Sequence, residues 1–197
     1  MSDRLTAQDW IEFGLTTLAH EGVEALKADL LARKLGVSRG SFYWHFSDLD
    51  AFHARVIEQW RQAATEAIIA DLERYDSSEA RLDVLARRGF GHDAVLEIRM
   101  RSWADRSAEA ARVLRDVDRR RQAYMQQILT DAGVEPSLAA TRAQLLYWAY
   151  LGAALSRSKL TGERLDRVVV ELKLVAGVAV RRRRRDRRSR GSRGVAR

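Results

Sequence analysis

Six residues in the N-terminal part of the chain carry hydrogen-bond donors or aromatic rings that suit contact with a nucleic acid: Ser38, Arg39, Ser41, Tyr43, Trp44 and His45. An arginine can bind a guanine edge through two hydrogen bonds, which contributes roughly 1–3 kcal/mol of discrimination between bases. Tyrosine and histidine suit phosphate contacts, which fix the register of a protein on a duplex. Gly40 has no side chain, so a duplex can approach the backbone closely there. These residue types predict a surface that contacts DNA.

The stretch from Ala28 to Phe46 predicts two short helices that would position these side chains. Gly36 suits the left-handed conformation that often ends a helix, and Ser38 suits the N-cap of the next one. Phe42 and Phe46 lie four residues apart and can face the first helix, which leaves the donors on the opposite side. A helix-turn-helix needs this arrangement, because its second helix must enter a groove. A plain three-helix bundle without a ligand is the alternative.

The same stretch resembles the signature of the tetracycline-repressor (TetR) family over roughly the first fifty residues. The matching motifs are Leu31-Ala32, Leu35-Gly36-Val37-Ser38, Gly40-Ser41-Phe42-Tyr43 and His45-Phe46. The resemblance implies homodimeric regulators, mostly repressors, that release a double-stranded DNA operator when a small-molecule effector binds a second domain. It implies an all-α fold, with an N-terminal three-helix helix-turn-helix domain followed by a larger helical-bundle effector and dimerisation domain.

On this resemblance, residues 1–46 are expected to bind DNA and residues 47–180 to bind the effector and dimerise. The expected DNA-binding set is Lys27, Ala28, Ser38, Arg39, Gly40, Ser41, Phe42, Tyr43, Trp44 and His45. Family members usually have a phosphate-binding lysine at the position of Leu49, so one electrostatic contact is missing here. The operator is expected to be a near-palindrome, because a dimer presents two reading helices about 34–36 Å apart.

The net charge of +8 does not support DNA binding by the N-terminal residues. Residues 181–197 hold ten arginines and one aspartate, and subtracting their +9 from the total leaves −1 on residues 1–180. This arginine-rich tail is expected to be disordered, since it has too few apolar residues to bury a face. It either binds nucleic acid nonspecifically or is a solvated tail without a selected role.

Composition excludes several other classes of protein. Cysteine is absent, which rules out disulfides and thiolate sites, and no histidine pair has the spacing of a zinc site. No signal peptide or membrane-spanning run is visible, so we expect a cytoplasmic protein without a membrane partner. Neither a glycine-rich phosphate loop nor a nucleophile elbow is present, so we expect no enzyme and no cofactor.

The helical pattern continues through the rest of the chain. The first helix is expected from Leu5 to His20, with Thr6 as its cap and Gly14 placed for close approach of a neighbouring helix. A fourth helix is expected from Ser47-Asp48 to about Arg74. The next helix is expected to break at Gly89-Phe90-Gly91.

Aromatic and apolar residues in the second domain are candidates for an effector pocket. They are Phe90, Leu96, Met100, Trp103, Tyr124, Ile128, Tyr147, Trp148 and Leu151. For each of them, plain core packing is the alternative. Glu97 and Arg101 lie four residues apart, which predicts a solvated ion pair.

Two C-terminal helices, over residues 137–156 and 165–180, are apolar on more than one face. A helix of this kind must be covered on both sides, which predicts a homodimer interface. A central position in a monomeric bundle is the alternative. For the whole protein, the alternative is a helical interaction protein that binds nucleic acid nonspecifically through its tail.

Overall fold

The computed structural model describes residues 5–178, which form helices and no strands. The helices are α1 (Ala7–Glu21), α2 (Ala28–Leu35), α3 (Arg39–His45), α4 (Leu49–Arg61), α5 (Ala67–Leu72), α6 (Ser78–Gly91), α7 (Val95–Ala104), α8 (Ala108–Asp131), α9 (Pro136–Leu155) and α10 (Gly162–Ala176). The all-α prediction is confirmed. None of the helices in this part of the chain is long and apolar enough to cross a membrane.

Aromatic residues join α1, α3 and α4. Phe42 of α3 is fully buried, and its ring makes edge contacts with Trp10 of α1 at 5.4 Å and Phe52 of α4 at 5.2 Å. Edge-to-face pairs of this kind add to the energy of simple burial. Gly36 ends α2 at φ 68°, as its position predicts. α3 is therefore fixed to the core by one side and extends from it by the other.

The first helix begins where the sequence places its cap. The Thr6 hydroxyl accepts from the Asp9 backbone N–H at 3.2 Å, while the Thr6 backbone N–H donates to the Asp9 carboxylate at 2.7 Å. This reciprocal capping box satisfies two helix-end donors. Gly14 allows α1 and α4 to pack closely, because a Cβ there would lie only 2.7 Å from the Phe52 ring.

The predicted long fourth helix contains an irregular turn. α4 continues through a π-helical segment, Gln62–Glu66, into α5, which ends at Leu72. Such π segments insert an extra residue into the helical ladder and occur often at functional sites. Thr65, in the middle of this segment, is buried.

The predicted break at Gly89-Phe90-Gly91 is confirmed at the last residue of that segment, where α6 ends. The helix runs through both glycines to Gly91. Added Cβ atoms would lie 3.2 Å from the Tyr150 ring at Gly89 and 3.1 Å from the Leu165 side chain at Gly91. The two glycines thus serve close packing of α9 and α10 on α6.

The described residues build two hydrophobic clusters. The first joins residues of α1–α4, such as Trp10 and Phe52, to Met100 and Trp103 of α7. The second lies among α5, α6, α8, α9 and α10. Because the first cluster includes residues on both sides of position 46, the division into domains at that position stays a prediction.

Candidate functional site

The outer face of α3 presents most of the predicted DNA-contacting residues to solvent. Tyr43 is 44 % exposed and Trp44 is 70 % exposed, and Arg39 is also exposed. The Arg39 guanidinium donates to the Tyr43 hydroxyl at 3.0 Å and lies 5.3 Å from the centre of its ring. The hydrogen bond and charge of Tyr43 raise the pKa of Arg39 above its ordinary value. The two side chains therefore hold the positive charge of Arg39 at the exposed surface of α3.

Two members of the predicted DNA-binding set are buried and need correction. The side chains of Phe42 and Ala28 are 0 % and 6 % exposed and pack in the first cluster, so neither side chain can reach a duplex. Lys27 is exposed at the N-terminus of α2, as its assignment requires.

Two other members of the set, Ser38 and His45, and the nearby Leu49 occupy positions with more specific roles. Ser38 is the N-cap residue of α3, but its hydroxyl makes no capping hydrogen bond, so the side chain is not used by the helix. His45 is half-buried, and its Nε2 lies 2.8 Å from the Leu5 carbonyl oxygen, which ties α3 to the start of α1. Leu49, in the position of the missing lysine, packs partly against the first cluster.

A cavity of about 620 Å³ lies between the α4–α5 unit and helices α6, α7, α8 and α9. Four predicted pocket residues line it: Phe90, Leu96, Tyr124 and Tyr147. The volume falls within the range of small-molecule sites, which is about 300–1,000 Å³.

The other five predicted pocket residues do not line this cavity. Met100, Trp103 and Ile128 are 0 %, 4 % and 1 % exposed and fill the two hydrophobic clusters. Trp148 is 59 % exposed on the outside of α9, and Leu151 is half-buried away from the cavity. Helical spacing predicted correctly that these residues lie on helices. It could not distinguish the side of a helix that lines the cavity from the sides that face the core or the solvent.

A buried polar network forms one wall of the cavity. The Glu97 carboxylate of α7 accepts from Arg101 at 2.8 Å, from Arg121 of α8 at 2.8 Å and from the Tyr150 hydroxyl at 3.4 Å. Arg121 also donates to the Thr65 hydroxyl and the Ala64 carbonyl oxygen of the π segment, both at 3.1 Å. The predicted Glu97–Arg101 pair exists, but it is not solvated, because Glu97 is only 5 % exposed.

The network extends to a second carboxylate. Arg101 donates to Asp118 at 2.7 Å and to the Tyr147 hydroxyl at 3.1 Å, and that hydroxyl donates to Asp118 at 2.6 Å. Two carboxylates thus face two guanidinium groups. The sequence analysis missed Glu97, Arg121 and Tyr150 as cavity residues. Two features of the sequence could have indicated them. Arg121 interrupts the apolar stripe of α8, and the three-residue spacing of Tyr147 and Tyr150 places both side chains on one side of α9.

Known proteins resemble this chain in sequence at its N-terminus and in fold over most of its length. Residues 11–54 match the family model described as bacterial regulatory proteins, tetR family. The matched segment contains the helix-turn-helix and its exposed face. Residues 11–54 are therefore similar to the DNA-binding segment of the TetR family.

Solved structures of other proteins share the fold of this chain. Reduced NemR from E. coli is 20 % identical, with a TM-score of 0.70, over 86 % of this chain and 96 % of that one. A Saccharomonospora viridis putative regulator in complex with choline is 15 % identical, with a TM-score of 0.70, over 85 % and 93 %. FadR from Bacillus subtilis in complex with stearoyl-CoA is 14 % identical, with a TM-score of 0.62, over 88 % and 100 %. No curated protein gave a significant match.

The buried polar network shifts the pKa values of its members. Burial by itself lowers the pKa of Arg121, but the charge of Glu97 and the neighbouring phenols outweigh it, so the net shift is upward. Burial raises the pKa of Tyr150 to about 12, and the charge of Glu97 adds to the effect. The arginines therefore stay charged and the tyrosines stay protonated at neutral pH.

An exposed apolar surface covers the outer sides of α9 and α10. It consists of Leu138, Leu145, Trp148 and Leu155 of α9 and Val170, Leu174 and Val175 of α10, each at least 41 % exposed. We name this set the α9–α10 face. Contiguous apolar surface of this kind marks interaction sites. The arginine-rich tail, residues 181–197, lies outside the described residues.

Proposed function

We propose that this protein is a TetR-family regulator that binds a near-palindromic operator as a homodimer through α3, represses transcription and is released by a small molecule. The observation that carries the proposal is the exposed face of α3. Arg39, Tyr43 and Trp44 lie on its outer side, while Phe42 and Phe46 hold its inner side in the core. A reading helix needs such a division, because it must stay rigid while its donors enter the major groove.

The homodimer rests on the α9–α10 face. Seven large apolar side chains are exposed there on two neighbouring helices, which favours a covering partner with the same chemistry. A second copy of the chain provides that chemistry, and most soluble oligomers are symmetric homodimers. A homodimer would also present two α3 helices to one duplex.

The small-molecule response rests on the cavity. Its volume of about 620 Å³ and its mainly apolar wall suit a small organic ligand. Two proteins of similar fold were solved in complex with choline and with stearoyl-CoA. The two ligands differ chemically, so they support a ligand cavity for this fold without indicating its occupant here.

α7 provides a direct connection between the cavity and the DNA-binding helices. Glu97 lies on the cavity side of α7, while Arg99 donates to the Ala19 and His20 carbonyl oxygens at the end of α1, at 3.3 and 3.4 Å. Farther along, Trp103 contacts His53 of α4 at 5.1 Å between ring centres. A ligand that shifts α7 would therefore move both contacts. Such coupling requires that the ligand bind the two arrangements with different affinity.

Selection from a random pool of DNA duplexes with the full-length protein tests the proposal. We expect an enriched inverted repeat with half-sites about one helical turn apart, bound about 10³-fold or more tightly than random DNA. Deleting residues 181–197 should leave that preference intact. If no sequence is enriched and the deletion abolishes all binding, the protein is a nonspecific binder that acts through its tail.

A further inference from the structure

The buried charged groups on the cavity wall are already paired within the protein. Arg121 uses three of its five N–H donors on Glu97, Thr65 and Ala64. Arg88, which is 35 % exposed, pairs with Asp71. The Asp93 carboxylate accepts from the Val95 backbone N–H at 3.0 Å, which leaves its charge in place, but Asp93 is exposed and screened by water. Among the buried groups of the wall, a charged ligand therefore finds no unpaired opposite charge.

A cation is disfavoured at the aromatic part of the wall. Trp60 and Tyr150 offer ring faces that could bind a quaternary ammonium group. The Arg121 guanidinium already lies over both rings, at 5.6 and 6.0 Å from their centres. A second cation in this position would be repelled by a fixed positive charge in a buried, weakly screened environment.

An anion is disfavoured for the opposite reason. Any anion that reaches Arg121 also comes close to Glu97, whose carboxylate lies 2.8 Å from the guanidinium. Two like charges that share one guanidinium repel strongly when both are shielded from water. An anion that replaced Glu97 as the partner of Arg121 would leave the Glu97 carboxylate, which is 5 % exposed, buried with one ionic partner fewer. Leaving a buried charge without its partner is strongly destabilising.

The remaining wall is apolar, but the polar wall keeps some hydrogen-bonding capacity. Aliphatic side chains from four helices line the cavity: Ile68, Ile69, Leu72, Leu82, Leu146 and Leu172. Among residues 5–178, two N–H groups of Arg121 have no assigned acceptor, and the Tyr150 bond to Glu97 is long at 3.4 Å. A neutral hydroxyl or carbonyl can accept from Arg121 without adding a charge.

We infer that the ligand of this cavity is an uncharged, largely apolar molecule with one hydroxyl or carbonyl group that accepts a hydrogen bond from Arg121. The inference rests on the proposed function for its regulatory meaning, but the binding chemistry stands on the cavity alone. It names a class of ligand that neither choline nor an acyl-CoA belongs to.

Three probes with the same ten-carbon chain test the inference: 1-decanol, decanoate and decyltrimethylammonium. Binding to the full-length protein is measured by titration calorimetry at pH 8, below the micelle concentrations of the charged probes. We expect decanol to bind at least tenfold more tightly than either charged probe. Equal or tighter binding of a charged probe, or no binding of decanol, overturns the inference.

A variant tests the role of Glu97 in excluding anions. Glu97→Gln removes the like charge while keeping the shape, so decanoate should bind at least tenfold more tightly than it binds the unchanged protein. Decyltrimethylammonium should gain nothing, since Arg121 stays charged. If the variant folds and its affinity for decanoate does not rise, the role of Glu97 in excluding anions is contradicted. If the variant does not fold, the affinities of the unchanged protein for the three probes decide whether the inferred ligand class holds.

Operator release is measured separately, by fluorescence anisotropy of a labelled duplex. Decanol that binds without releasing DNA leaves the ligand class standing and contradicts ligand-induced release. If decanoate binds best and releases DNA, ligand-induced release is supported and the inferred ligand class is contradicted.

Discussion

The carboxylate of Glu97 and the guanidinium of Arg121 lie 2.8 Å apart, with side chains that are 5 % and 14 % exposed. The pair joins α7 to α8, and Arg121 continues it to the π segment through Thr65 and Ala64. Three elements that surround the cavity therefore meet at one ion pair.

Replacing Arg121 with methionine should destabilise the protein by roughly 3 kcal/mol. The variant leaves Glu97 buried with one guanidinium instead of two, and broken buried pairs usually cost about 3–5 kcal/mol. Arg101 still pairs with Glu97, which places the expected loss near the lower end. Urea unfolding followed by circular dichroism measures the change.

The matched control is Arg106→Met. Arg106 pairs with Glu24 at 2.6 Å, but these side chains are 58 % and 72 % exposed. Exposed pairs contribute at most about 1 kcal/mol. Similar losses in the two variants would show that burial of the Glu97 pair has no energetic consequence.

Alkaline pH should lower the stability of the folded protein. Burial raises the pKa of Tyr150 to about 12, whereas an unfolded tyrosine titrates near 10. Above pH 10 the unfolded state loses its proton first, so the free energy of unfolding falls until about pH 12. The same direction holds for Tyr147 and Tyr124, whose pKa values burial also raises.

Tyr150→Phe isolates the contribution of this residue to the alkaline loss. The variant keeps the ring but has no titrating hydroxyl. Between pH 10 and 12, its free energy of unfolding should therefore fall by about 1–3 kcal/mol less than that of the unchanged protein. Tyr43→Phe, at an exposed tyrosine, serves as the control. Parallel pH curves for Tyr150→Phe and the unchanged protein would contradict the prediction.

Arg39→Ala and Tyr43→Ala should each abolish operator binding while leaving the fold intact. Both side chains are exposed, and their hydrogen bond to each other contributes little to stability at the surface. Gel-shift titration measures the affinity, and thermal unfolding checks the fold. Unchanged operator binding in both variants would refute the assignment of α3 as the reading helix.

Substitutions at two glycines test two different roles, which are close approach of DNA at Gly40 and close packing of helices at Gly14. A Cβ at Gly40 would lie 3.6 Å from the Ser38 hydroxyl, an ordinary van der Waals contact, so Gly40→Ala should fold normally. Its methyl group would nevertheless face the duplex, and operator affinity should fall at least tenfold. Loss of stability with full affinity would contradict this reading of Gly40.

Gly14→Ala should show the opposite behaviour. Its Cβ would lie 2.7 Å from the Phe52 ring and 3.0 Å from Val56, which forces α1 and α4 apart. Overpacking of this kind costs about 1–3 kcal/mol. The midpoint of urea unfolding measures the loss, and an unchanged midpoint would mean that α4 relaxes freely.

Trp148→Arg should convert the proposed homodimer into a monomer. Trp148 is 59 % exposed in the single chain, so the substitution costs the monomer little but places a charge in the centre of the α9–α10 face. Sedimentation velocity measures the mass. Trp44→Arg, at a tryptophan that is 70 % exposed on α3, should leave the mass unchanged. A dimeric Trp148→Arg variant would show that the interface lies elsewhere.

The sequence determined the helix-turn-helix because its signals act over a few residues. The capping box of Thr6 and Asp9 spans three residues, and Phe42 and Phe46 share a face through one helical turn. Gly36 ends α2 through its own backbone conformation. Local patterns of this kind do not depend on how distant helices pack.

Only the tertiary structure decided the chemistry of the cavity. Glu97 meets Arg121 across 24 positions of the chain, and Arg121 meets Thr65 across 56. Spacing alone predicted Glu97 and Arg101 as a solvated pair, because the burial of a charge depends on which other helices cover it. The same reason explains why helical spacing could not separate cavity-lining Tyr147 from exposed Trp148, its neighbour on α9.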